Sequence, residues 1–161
     1  MAGRWKMYDA AKHLIDAGGL DLSATTGWRV ALFGVASNAN SLGTLATFAD
    51  LTDELPTANG YTQGGVGVTD QTLTMDAGVD TFDSADAAWV ASGGDLSAAY
   101  AVYFRQGTYG AVTDPLLCVS VLNDGAVATA ADTASVPGVG MGWIPPWVGA
   151  VENQPPLEVS S

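Results

Sequence analysis

The sequence predicts a mainly β protein: an antiparallel β-sandwich or partly open barrel, with one short amino-terminal α-helix and an extended Pro-rich carboxy-terminal arm. Three observations lead there. Trp28 to Val35 (WRVALFGV), Ala98 to Gln106 (AAYAVYFRQ) and Pro115 to Leu122 (PLLCVSVL) are runs rich in β-branched and aromatic residues with few charges, as expected of strands buried on both faces. Shorter strand candidates are divided by Gly and Asp turn signals. No long helical pattern alternates with the strands, which argues against a parallel sheet.

Taken in order, Arg4 to Ala17 reads as the helix. Tyr8, Ala11, Leu14 and Ile15 recur at helical spacing, and Gly18-Gly19 supplies a stop. Such a helix lies across the β body or docks on a neighbouring subunit. Asp21 to Gly27 is a polar connector into the first strand, Trp28 to Val35. Ser37 to Gly43 has loop composition, and Phe48, Leu51 and Leu55 are spaced for a turn or two of helix, closed by Pro56 and Asn59-Gly60.

Strand candidates follow at Tyr61 to Thr69, Gln71 to Met75, Val79 to Phe82 and Ala87 to Ala91. The long strand Ala98 to Gln106 is joined by a loop, GTYGAVTD, to Pro115 to Leu122. Asn123-Asp124-Gly125 carries a tight-turn signal. Ala126 to Ser135 reads as a weak strand or loop, and Val139 to Ile144 as a last strand. Pro145-Pro146-Trp147 and Pro155-Pro156 then stiffen the chain into an extended arm. The expected division is one β domain over 1–144, with its helix at 4–17, and an arm over 145–161.

The size, 161 residues and 16.4 kDa, suits one domain with its own core. Charged residues make up 14%, against roughly 25% in an ordinary soluble domain. A surface of small neutral residues suits a protein packed against neighbours, although a bias of composition has the same effect. The net charge is −12, and no Lys or Arg follows Arg105. Without a basic patch to displace counterions, nucleic acid and anionic membranes are not expected partners. The single cysteine, Cys118, lies within an apolar run and reads as a small buried hydrophobe. The start of the chain lacks the apolar segment of a signal peptide, so synthesis in a cytoplasm is expected.

Chemistry is poorly supplied. His13 is the only histidine, flanked at helical spacing by Asp9 and Asp16, and with one His and one Cys neither a catalytic triad nor a zinc site is easily assembled. Gly64-Gly65-Val66-Gly67 lies among strands, where glycine serves a bulge or close backbone approach rather than a phosphate. Asp76, Asp80, Asp83 and Asp86 form the one acidic cluster. Turn formation explains it better than paired catalytic carboxylates, and its spacing does not match an EF-hand loop. No enzyme, metal or cofactor is expected. Tyr61, Trp89, Tyr109, Trp143 and Trp147 are aromatic residues near loops that could stack on sugars or pack at an interface; Trp89 reads as core and Trp147, beside Pro145 and Pro146, as an anchor.

An ordered series of short motifs resembles a group of small virion structural proteins of tailed bacteriophages. It comprises Trp5-Lys6-Met7-Tyr8, Asp21-Leu22, Trp28 to Phe33 and Asp50 to Leu55. It continues through Gly60-Tyr61-Thr62-Gln63-Gly64-Gly65, Asp86 to Trp89, Ala99 to Phe104 and Asp114 to Leu117. The likeness runs from Trp5 to Leu122; beyond that an Ala- and Pro-rich tail replaces the usual short final strand. The resemblance implies a virion location and no catalytic residues. A capsid decoration (cement) protein is the leading expectation. It would bridge subunits of the major capsid protein or other virion proteins, as a homo-oligomer on the particle. Tail, neck or fibre components and a carbohydrate-binding module are the alternatives. Trp5, Tyr8, Trp143, Pro145, Pro146 and Trp147 are the expected partner-binding residues.

Overall fold

The computed structural model describes residues 2–128, 133–136, 141–143 and 158–159, with side chains described over 5–122. It is a sandwich-like assembly of antiparallel sheets with a single short α-helix, as the sequence predicts. The main sheet has five strands: β1 (Ala2–Met7), β2 (Trp28–Phe33), β3 (Val66–Gly67), β7 (Leu96–Arg105) and β10 (Leu116–Ala128), in spatial order β1-β10-β7-β2-β3. A second sheet is built from β4 (Thr72–Asp76), β5 (Val79–Asp83), β12 (Met141–Trp143) and β13 (Glu158–Val159), in order β13-β12-β5-β4. Two-stranded ribbons join β6 (Ala87–Val90) to β11 (Thr133–Val136) and β8 (Thr108–Tyr109) to β9 (Val112–Thr113).

Strand β2 sits beside β7, with Val30 opposite Tyr103 and Leu32 opposite Ala101. Both of its faces are covered. On one, Phe82 from β5 packs on Trp28 and Tyr103 with ring centroids 5.2 and 5.8 Å apart, and Trp5 meets Tyr103 edge-on at 6.0 Å. On the other, Phe48 packs against Phe33 and Phe104 at 5.9 and 4.4 Å. Aromatic pairs at these separations add specific geometry to the area they bury. The apolar character of WRVALF follows from having to fit both contacts.

Four sequence expectations are corrected. The helix α1 is Asp9–Asp16, and Arg4 to Met7 belongs to strand β1 instead. Trp5 and Met7 are buried while Lys6 between them is exposed, so a period of two competes here with the helical spacing that begins at Tyr8. Strand β2 stops at Phe33, where the Gly34 N–H turns to the Asp53 carbonyl at 2.8 Å and Val35 points into solvent. Among Tyr61 to Thr69 only Val66–Gly67 is strand, because Gly64 and Gly65 both take positive φ.

Finally, Asn123-Asp124-Gly125 does not turn the chain. These residues lie inside β10, where 122–125 stand opposite Ala99 alone, between the pairs Val121–Tyr100 and Ala126–Ala98. Turn-forming residues have been absorbed as a bulge. Two smaller expectations are refined: Thr47 to Leu55 forms one 3-10 turn at Phe48–Asp50, and GTYGAVTD is the β8–β9 ribbon rather than an open loop.

Candidate interaction surfaces

The motif residues from Asp50 to Gly65 form a structural brace. Strand β3 pairs with β2 only at Arg29 and Val30, and beyond it the outer edge of β2 meets no strand, only an isolated antiparallel bridge of Phe33 with Glu54. There the Tyr61 hydroxyl accepts the Leu32 N–H at 3.0 Å, and the Leu32 carbonyl accepts the Leu55 N–H at 3.0 Å. The same hydroxyl donates to the Glu54 carboxylate at 2.8 Å, which also accepts the Gly64 N–H. A phenol and a single bridge thus stand in for a missing strand. Burial and the adjoining Glu54 carboxylate push the Tyr61 hydroxyl far above its ordinary range, so it remains a donor.

Arg29 closes the brace from the other side, donating to the Gly64 and Gly65 carbonyls at 2.9 and 2.6 Å. Gly65 has φ +73, and a Cβ there would lie 2.0 Å from the Val30 carbonyl oxygen. Only glycine fits that approach. The glycine-rich segment serves backbone contact, in line with its reading as a structural rather than phosphate-binding element.

The other candidates divide by burial. Trp5 and Tyr8, expected at a partner surface, are core residues. Tyr8 donates to the Ala39 carbonyl, and burial raises its pKa well above the usual phenol range, with Cys118 adding to the shift. Tyr61 and Trp89 are also buried, with centroids 6.1 Å apart. Tyr109 lies over Arg105, whose guanidinium carbon is 4.1 Å from its ring and 5.6 Å from that of Trp28. Trp143 ends β12 opposite Asp80. Pro145, Pro146 and Trp147 lie outside the described residues, as does most of the expected arm; within it, Glu158–Val159 pairs with β12.

Among the described residues the titratable groups form no assembled centre. Cys118 is buried between strands, and burial pushes its thiol up, away from the reactive thiolate. Tyr103 is likewise pushed up to about 12 by burial. His13 is exposed on α1, where Asp9 pairs with Lys12 at 3.2 Å. Among the described residues no group of three or more His, Cys, Asp or Glu is placed to hold a metal, and no helix is long and apolar enough to cross a membrane. Asp76, Asp80 and Asp83 are spread along the β4–β5 hairpin, with Asp76 opposite Val79, Asp80 opposite Met75 and Asp83 opposite Thr72. Asp83 accepts the Ser84 N–H at 2.8 Å, as a turn-forming aspartate does.

Two surfaces stand out for shape and polarity. One is a groove of about 470 Å³ at the end of the main sheet. Its walls are Gly34 and Val35 beyond β2, residues 97–100 of β7, and Val121 and Leu122 at the β10 bulge. Among the described residues no charged side chain lines it, and Val35, 85% exposed, stands at its edge. The other is the β4–β5 hairpin. All five residues of β4 are exposed, with Met75 at 64% and Leu73 at 39%, and no described strand lies beyond its outer edge. Sequence reading missed both as surfaces: the groove is made by strand ends that come together only in the fold, and the exposure of β4 depends on what packs beside it.

Comparison with family models, curated proteins and solved structures gives no match. The class that can be stated is therefore that of the fold: a mainly β, sandwich-like domain.

Proposed function

We infer that this chain is a structural protein of a tailed-phage virion, and most simply a capsid decoration protein that bridges neighbouring major-capsid subunits. The observation that carries the reading is where the residues of the phage-like series fall. Trp5, Tyr8, Trp28 to Phe33, Tyr61, Gly65, Trp89, Val102 to Phe104 and Leu116-Leu117 are framework: buried strands, or the brace that completes their ladder. The series also includes exposed residues such as Lys6, Asp21, Asp50 and Gln63, but its large residues are framework, and a likeness carried mainly by scaffold suits a family whose task is mechanical.

The low charge of the chain, and a groove whose described lining residues are all uncharged, support a role in contact with other proteins. Repeated on a lattice, modest contacts of this kind sum to strong attachment through multivalency. A sugar-binding role draws no support from Tyr61 and Trp89, because both rings are inside the core.

The test is to purify the full chain, add it to heads that lack it, and image the particles with symmetry averaging. Hundreds of copies at regular positions on the head are expected. A handful at one vertex or along the tail would move the protein to the tail, neck or fibre class, and no particle-associated copies at all would overturn the virion reading. For the arm, Trp147→Ala is the cleaner variant, since cutting after Ile144 also removes β13 from its sheet. Lower head occupancy with an unchanged unfolding midpoint is the outcome expected of an anchor.

A further inference from the structure

Among the described residues strand β4 is a sheet edge, and its protections are few: it is short and carries one charge, Asp76 beside the turn. Its sequence, Thr72-Leu73-Thr74-Met75-Asp76, has no Lys and no Pro, and its pairing with β5 runs without a bulge. Exposed edges in monomeric proteins normally carry at least one such device, because an open row of N–H and C=O groups is a template for another strand. We propose that β4 pairs with β4 of a second copy, antiparallel and centred on Thr74, to join two four-stranded sheets into one across a twofold axis.

The register follows from the turn. Ala77 and Gly78 both have positive φ, at 51° and 82°, so they form a two-residue hairpin turn whose flanking residues Asp76 and Val79 exchange both backbone hydrogen bonds. Alternation along the ladder then gives Thr74 and Thr72 to β5 as well. Leu73 and Met75 direct their N–H and C=O groups outward. Centred on Thr74, the twofold sets Leu73 opposite Met75 of the other copy twice, and each pair exchanges two bonds, so every outward group of β4 is used.

The side chains agree with this register. Leu73 and Met75 share the face of the sheet that carries buried Phe82, since Leu73 stands opposite Phe82 and Met75 is two residues on. Pairing would bring two Leu and two Met together as an extension of that apolar face. Asp76 would face Thr72, with Asp83 of that copy beyond it on the same face, two strand spacings or about 10 Å away. The two Asp76 residues would lie four residues apart along the ladder, about 14 Å at the usual strand rise. That exceeds the screening length of about 8 Å at physiological salt, so the −12 charge of each copy opposes the contact weakly and added salt should favour it. One strand pair is a small interface and belongs to the transient class unless a lattice holds the copies close. The proposal concerns the isolated chain and stands apart from the virion reading.

Oxidative cross-linking tests it in the full chain. Thr74 would face its own copy as a non-hydrogen-bonded pair, with Cα atoms within disulfide reach, whereas the two Thr72 residues would be too far apart. Buried Cys118 does not compete. Thr74→Cys is expected to form a disulfide dimer at least tenfold faster than Thr72→Cys at equal concentration, and faster still as salt is raised. Adding Met75→Pro, which deletes an outward N–H, should bring the Thr74→Cys rate down to that of Thr72→Cys. If the proline variant fails to fold by circular dichroism, Met75→Lys serves the same purpose with the backbone intact. Equal rates for the two cysteine variants, or a Thr74→Cys rate indifferent to the Met75 changes, would overturn the pairing.

Discussion

The Tyr61 brace makes a sharp prediction for Tyr61→Phe. The ring is retained, so packing against Trp89 should survive and only the hydroxyl is lost. Two consequences follow from the hydrogen bonds it made. The buried Leu32 N–H loses its acceptor, at a cost of about 1–3 kcal/mol for an unsatisfied buried donor. Glu54 loses one of its two donors but keeps the Gly64 N–H and, being partly exposed, can regain water. That second loss is worth at most about 1 kcal/mol. The sum is a destabilisation of about 1–4 kcal/mol. Urea unfolding followed by tryptophan fluorescence measures it as a lower midpoint at unchanged slope. Glu54→Gln should cost less, because its amide oxygen still accepts. A Tyr61→Phe loss below about 0.5 kcal/mol, typical of a surface change, would show that the hydroxyl does not complete the β2 ladder.

Other perturbations follow from the same geometry. Gly65→Ala should be more damaging than Tyr61→Phe, since its Cβ would press on the Val30 carbonyl in a strand that cannot retreat; insolubility or a midpoint loss larger than that of Tyr61→Phe is expected. Asp50 accepts the Ala46 and Thr47 N–H groups, forms a capping box with Thr47, and these bonds hold its pKa below the ordinary carboxylate value. Asp50→Ala should therefore cost about 1 kcal/mol in thermal or urea unfolding at neutral pH. The sign of the pH effect follows from the depressed value: Asp50's contribution is present above the unfolded-state pKa and disappears as pH falls through the folded one, so the gap between wild type and Asp50→Ala should close in acid. Cys118 should react with a thiol reagent only at the rate of unfolding, and fast labelling of the native protein would contradict its burial. Ala77→Asn should raise stability by about 0.5–1 kcal/mol, because asparagine tolerates the positive φ that alanine is forced to adopt.

The sequence was most legible where one environment rules a whole segment. Trp28 to Phe33, Ala98 to Arg105 and Leu116 to Leu122 read as strands because both faces are buried, and apolar runs of that length have few other uses. It was least legible where two signals overlap. Trp5 and Tyr8 fit a helical spacing, yet Trp5 obeys the strand period and Tyr8 marks the change from one to the other, with φ −68 and ψ 144 at the helix boundary. The turn signal at Asn123-Asp124-Gly125 was real locally, but pairing with β7 on both sides of it outweighed the local preference. Interaction surfaces were hardest to read. Nothing in Thr72 to Asp76 announces that its outer edge is open, and Val35 reads as the end of a buried strand until Gly34 turns it outward.

The placement of β1 governs how the fold can be reached. Trp5 stands opposite Ser120 and Met7 opposite Cys118, so an early strand is held by one made much later in synthesis. The main sheet therefore cannot be completed in the order in which the chain leaves the ribosome: β2 and β7 can pair first, and β1 must wait with Trp5 and Met7 uncovered until β10 emerges. Closing contacts this distant in sequence is slow, and it leaves apolar residues in water meanwhile. Yield in a host cell should thus depend on temperature and chaperone supply more than the stability of the finished domain would suggest.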